Sequence, residues 1–239
     1  MRRVVRVFWG PRKETPQELA GRWKATLDAL PALIPAGGSA PAGQPWTWTR
    51  HHACGSPTEL RPDGAGLAAA LQAGPDSPQT SDGAGLSLSR TGAPGWEVSV
   101  FGRGGGESAY VTQSVVLAVV SPDGDGIPEA ALLALLAEIW QPDFGDATDD
   151  ELLDALEERA GFDYTLSQVS VGRFAYLSPG RAARAPAGVG VVREELRGAG
   201  VLLGIAPPGD IGAVVDAYVR LRDAGVLEPL PRPMNRTLL

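Results

Sequence analysis

Residues 86–120 read LSLSRTGAPGWEVSVFGRGGGESAYVTQSVVLAVV, and this stretch decides the fold class. It holds three strand candidates: Leu86 to Arg90, Trp96 to Phe101 and Tyr110 to Val120. They are separated by Gly-Ala-Pro-Gly and by Gly-Arg-Gly-Gly-Gly, breakers short enough for hairpin-like connections. An antiparallel meander follows. The third run, with its VVLAVV core, is the most apolar and is expected near the centre of a sheet.

Upstream, Val4 to Trp9 is a β-branched and aromatic run that suits a strand, broken by Gly10-Pro11 because proline donates no ladder hydrogen bond. Thr15-Pro16-Gln17-Glu18 is a capping box with proline at the first helical position. Leu19, Trp23, Leu27 and Leu30 then form one apolar stripe, expected to end at Pro31. Residues 31–45 are rich in Pro, Gly and Ala and read as a loop. Trp46 to Thr49 reads as a short strand, 49–63 as irregular, Gly66 to Gln72 as a short helix and 74–85 as a loop.

Downstream, residues 121–126 form a turn and Pro128 to Trp140 a strong helix. Thr148-Asp149-Asp150-Glu151 reads as a second capping box, opening a helix to about Arg159 with Leu152, Leu153 and Leu156 inward. Gln168 to Leu177, Val189 to Leu196 and Gly200 to Ala206 read as strands. Asp210 can cap a last helix running to Asp223, with Gly225 in the C′ position. Strands come in runs, with helices between the runs. The expected fold is therefore α+β: a single domain, residues 1–239, whose largely antiparallel, mixed sheet carries its helices mainly on one face.

The chain has 239 residues and 44% apolar content, enough for a real core. Gly 31 and Pro 21 exceed a fifth of the residues, so loops should be long. The single cysteine, Cys54, precludes an internal disulfide and suits a reducing compartment. No signal peptide and no membrane span are read from the pattern, so the expected location is the cytoplasm.

The net charge of −7 argues against nucleic-acid binding, which leaves a basic footprint. The charge is also unevenly placed. From Glu138 to Asp163 there are ten carboxylates against Arg159 alone, a segment of −9 that leaves +2 elsewhere. Such a segment reads as an ordinary charged surface helix, or as a negative patch that steers a basic partner surface. The candidate contacts are Asp146, Asp149, Asp150, Glu151, Asp154, Glu157 and Glu158. Arg12, Trp46 and Trp48 join them, because exposed Trp and Arg often anchor interfaces, and all three read equally as core or corner residues. Arg12 also has a structural reading, in which it pairs with a carboxylate and pins the strand–helix corner.

Motifs of catalysis and ligation are weak. His51-His52-Ala53-Cys54 gathers soft ligands, but zinc needs three or four donors and both histidines of the chain are already here. Asp123-Gly-Asp125-Gly starts like a calcium loop, yet its twelfth position falls on Ala134, which has no carboxylate. Gly102-Arg-Gly-Gly-Gly106 lacks the Lys-Ser/Thr end of a P-loop and is followed by strand patterns. No catalytic, cofactor-binding or metal-binding residue is assigned.

Several short pieces, in order, carry a resemblance. Phe8-Trp9-Gly10-Pro11-Arg12 leads into a helix with Glu18, Ala20, Leu27 and Leu30. Trp46 and Trp140-Gln141-Pro142-Asp143 follow. Gly172-Arg173-Phe174-Ala175-Tyr176-Leu177-Ser178 is similar to a Gly-Trp-x-x-Tyr-Leu-Ser element, with Phe174 in place of Trp. Gly200-Val201-Leu202-Leu203 and Ala224-Gly225-Val226-Leu227 close the set. Together these resemble the immunity protein 52 family, whose pattern accounts for neither residues 31–45 nor the acidic helix at 149–159. The resemblance implies a single-domain cytoplasmic antitoxin without catalysis or cofactor, which binds and blocks a co-encoded polymorphic toxin, often a nuclease. A nuclease offers a basic cleft that carboxylates can occupy. The rival expectation is a small cytoplasmic hydrolase using Cys54 or a carboxylate in a cleft.

Overall fold

The computed structural model describes residues 1–34, 46–72, 81–91, 95–122, 126–163, 168–197 and 200–235. Its strands are β1 (Arg2–Trp9), β2 (Trp48–Arg50), β3 (Thr58–Leu60), β4 (Ala84–Thr91), β5 (Glu97–Gly104), β6 (Gln113–Val120), β7 (Phe144–Thr148), β8 (Phe174–Leu177), β9 (Val192–Leu196) and β10 (Gly200–Gly204). Its helices are α1 (Pro16–Leu33), α2 (Gly64–Gln72), α3 (Glu129–Trp140), α4 (Asp150–Ala160), α5 (Pro179–Ala182) and α6 (Ile211–Asp223). The strands form one sheet in the order β3-β2-β4-β5-β6-β1-β7-β8-β10-β9. The fold is α+β, the sheet is antiparallel, and the apolar β6 sits near its middle as the sequence predicts.

By its internal contacts the chain divides into two compact units, one of Met1–Arg3 and Gly10–Pro128, the other of Val4–Trp9 and Glu129–Leu239. In the first, the meander of residues 86–120 is present. Leu88, Val100 and Leu117 stand in register across β4, β5 and β6, all buried. The inward stripe of α1, Leu19, Trp23, Leu27 and Leu30, is buried too, as are Leu67 and Leu71 of α2. The capping box at Thr15 and Glu18 forms with both of its reciprocal hydrogen bonds. Helix α1 runs past Pro31 to Leu33. In the last turn proline forfeits a single hydrogen bond, and Ile34 N–H still closes onto Leu30 O.

In the second unit, Phe144, Ala175, Leu177, Val201 and Leu203 form one apolar sheet face with Leu152 and Leu156 of α4 and Val214, Tyr218 and Leu221 of α6. Helix α3 packs on the other face, where Trp140 stacks on Trp9 at 5.3 Å and Leu133 closes over Gly145. Helices thus cover both faces of this unit's sheet.

Several local expectations need correction. The sequence pattern gives no element at residues 144–148, where β7 forms, and the stretch 49–63, expected to be irregular, contains β3. The strand expected from Gln168 is only Phe174–Leu177. Before it, Gly172 presses so closely on β7 that an added Cβ would lie 1.8 Å from Ala147 O. The cap of α4 is Asp149, whose side chain accepts from Leu152 N–H, while Thr148 is the last residue of β7. The expected helix from Asp210 to Asp223 forms, capped by the Asp210 side chain on Ala213 N–H.

Candidate functional site: the outer face of α4

The ten carboxylates of the acidic segment separate into two populations. Asp143, Asp146 and Asp149 are buried, whereas Glu138, Asp150, Glu151, Asp154, Glu157 and Glu158 are exposed; the tenth, Asp163, is half-buried between the two.

The buried ones belong to ion-pair networks. Asp146 on β7 stands opposite Arg6 on β1 in the strand register. The Arg6 guanidinium forks onto it, donating from Nε at 2.9 Å and from Nη2 at 2.7 Å. Ser170 Oγ donates to the same carboxylate and accepts from Arg6 Nη2. Asp146 is only 1% exposed. Asp149 is likewise committed: besides capping α4 it accepts from Arg173 Nη1 at 2.8 Å.

Arg173 also donates through Nε and Nη2 to Glu129 at the start of α3. One guanidinium thus ties the beginnings of two helices together. Burial opposes its charge, but the hydrogen bonds and charges of Glu129 and Asp149 outweigh that, and its pKa is held above the ordinary arginine value. Asp143 lends favourable charge to Arg181, whose guanidinium donates to the carbonyls of Val226 and Glu228. Burial brings the Arg181 pKa down to about 10, so it stays protonated at neutral pH.

The exposed population is concentrated on α4. At 100° per residue, Asp150, Glu151, Asp154, Glu157 and Glu158 fall within an arc of about 120°. Leu152, Ala155 and Leu156 face inward and Arg159 lies outside the arc. Among the described residues, Glu151, Asp154, Glu157 and Glu158 make no ion pair.

Helix stability explains only part of this pattern. Asp150 and Glu151 sit in the first turn, where the macrodipole favours anions. Glu157 and Glu158 sit near the other end, where it disfavours them. Gly161, left-handed at φ 68°, stops the helix just beyond.

The remaining predicted contacts lie elsewhere. Arg12 pairs through Nε with Glu14 at 3.2 Å, Arg22 holds the other oxygen of that carboxylate, and Arg12 N–H donates to Gly106 O. This is the corner-pinning arrangement. Trp46 and Trp48 are buried, with ring centroids 5.8 Å apart, and Arg90 lies over Trp46 at 4.5 Å. Neither indole is presented to a partner.

His51 Nε2 meets Ser89 Oγ at 2.6 Å and His52 Nε2 meets Thr58 Oγ1 at 2.9 Å, so the two imidazoles address different strands. Cys54 is exposed. Among the described residues no three His, Cys, Asp or Glu side chains converge as a metal site would require. The calcium-loop start at 123–125 lies outside the described residues. No helix among the described residues is long and apolar enough to cross a membrane.

No family model matches the chain. No curated protein matches it in sequence. Among solved structures the fold is similar to that of the Pseudomonas aeruginosa T6SS protein PA0821, at a TM-score of 0.53 and 16% sequence identity, over 95% of this chain and 73% of that one. At that identity the likeness is one of fold. It gives the α+β sheet an independent parallel and leaves function to the surface chemistry.

Proposed function

We propose that the chain is a non-catalytic immunity protein that binds and neutralises a bacterial effector toxin through the acidic outer face of α4. One observation carries the reading: a helix face with five carboxylates, four of them without an ion pair among the described residues and two placed against the helix dipole. Helix stability does not account for Glu157 and Glu158, which the dipole disfavours. The face gains a directed negative potential, which speeds encounter with a basic surface such as the phosphate-binding cleft of a nuclease.

The fold likeness to a T6SS protein is consistent with a secretion-system effector or immunity setting. The short sequence pieces that resemble the immunity protein 52 family point the same way. Asp146, Asp149, Trp46 and Trp48 have no part in the proposed contact, because each is buried.

The test is protection. Cells expressing the toxin-like product of the neighbouring reading frame should arrest, and co-expression of this chain should restore growth. Failure to protect, with both proteins soluble, would overturn the proposal.

A further inference from the structure

Strand β9 ends the sheet at one side, and the described strands leave its outer edge unpaired. Val192, Arg193, Glu194 and Glu195 are all exposed. Val191 is 75% and Val192 57% exposed, which makes them two of the few large apolar side chains facing water. Free strand edges recruit further strands, and proteins usually blunt them with shortness or charge. The opposite edge, β3, is blunted in this way: it is three residues long and carries the exposed Glu59. β9 is longer and has the exposed pair Val191 and Val192 at its start.

The charges on β9 are not a random deterrent. Arg193 and Glu195 share the face that meets Leu203 and Val201 of β10, and their side chains approach at 3.5 Å. An antiparallel pairing of β9 with its own copy, centred on Glu194, puts Arg193 opposite Glu195 of the second copy, and Glu195 opposite that copy's Arg193. Together with the contact along each strand, this makes a four-charge square of alternating sign. The same register sets Val192 against Leu196 of the second copy. A two-fold axis perpendicular to the sheet permits only registers whose partner numbers sum to an even value. Centring on Arg193 opposes it to its own copy and leaves Glu195 facing Val191. Centring on Glu195 sets Arg193 against Arg197.

We propose that β9 is a self-association edge, joining two copies of the chain into a continuous sheet through this register. The partner is a second copy because the edge is self-complementary in charge. A five-residue ladder buries less than a stable permanent dimer needs, so association is weak and concentration-dependent. Glu194 meets its own counterpart on the other face, a like-charge contact that weakens the pair further.

The test is sedimentation of the full chain over a wide concentration range. Wild type should move from monomer to dimer. Arg193→Glu and Glu195→Arg, each folded by circular dichroism, should each dimerise about tenfold more weakly. A one-to-one mixture of the two should recover dimer, because the swapped charges then face each other. Glu194→Gln should tighten the wild-type dimer without touching either ion pair. The proposal is overturned if wild type stays monomeric throughout, if it forms open assemblies larger than a dimer, if the charge variants dimerise like wild type, or if their mixture fails to recover.

Discussion

Asp146 carries a charge into the middle of a sheet, where Arg6 meets both of its oxygens and Ser170 meets Oδ2. Breaking such a pair leaves an uncompensated buried charge. Arg6→Ala should therefore destabilise the fold by about 3–5 kcal/mol in urea unfolding. Replacing both partners together, Arg6→Met with Asp146→Leu, should cost less than Arg6→Ala alone, since no charge is then stranded. Gly172 makes a steric prediction of a different kind. Its α-carbon lies where a methyl would strike Ala147 O, so Gly172→Ala must displace β7 or the segment before β8 and should cost about 2–4 kcal/mol.

The limit of sequence reading shows clearly at this scale. Asp146 and Asp149 fall among the expected surface contacts because composition does not tell which carboxylates find an arginine far away in the chain. Nor does it tell that Trp46 and Trp48 turn inward. Arg12 was legible as a corner residue because its partner, Glu14, is two positions away.

The elements that sequence located well carry local signals: the capping box and apolar stripe of α1, the Asp210 cap of α6, and the alternating runs of β4 and β5. Strand β7 was missed for a physical reason. Its residues, Phe-Gly-Asp-Ala-Thr, have weak strand character, and Arg6 across the register, with Ser170, makes an aspartate tolerable there.

The α1 cap has its own pH signature. The Thr15 backbone N–H and then its hydroxyl bond the Glu18 carboxylate and hold its pKa below the ordinary value of 4.5. A carboxyl lowered in the folded state binds fewer protons there than in the unfolded chain. Its stabilisation is present above the ordinary value and lost as pH falls through the lowered one. Wild type should accordingly lose more stability than Glu18→Gln on acidification below about pH 4.5, in unfolding followed by circular dichroism. On α4 the dipole argument runs the other way: Glu157→Gln with Glu158→Gln should raise the thermal midpoint slightly, because it removes two anions from the unfavourable end of the helix.

At the scale of the molecule, one sheet carries a set of buried charges that hold strands and helix starts in place, and one helix that turns unneutralised charge outward. The sheet class was readable from the strand-run pattern. The sorting of acidic residues into inside and outside was not, since Asp143, Asp146 and Asp149 are held inside by arginines distant in the chain.

That sorting is what the functional account rests on, and binding kinetics test it most directly. The variant Glu151→Gln, Asp154→Asn, Glu157→Gln, Glu158→Gln leaves Asp146, Asp149 and every buried ion pair intact. Its association with the purified toxin should be followed against ionic strength, beside wild type. The account predicts a folded variant that associates about tenfold or more slowly at low salt, with a much flatter salt dependence. Equal association rates and equal salt slopes for the two proteins would contradict it.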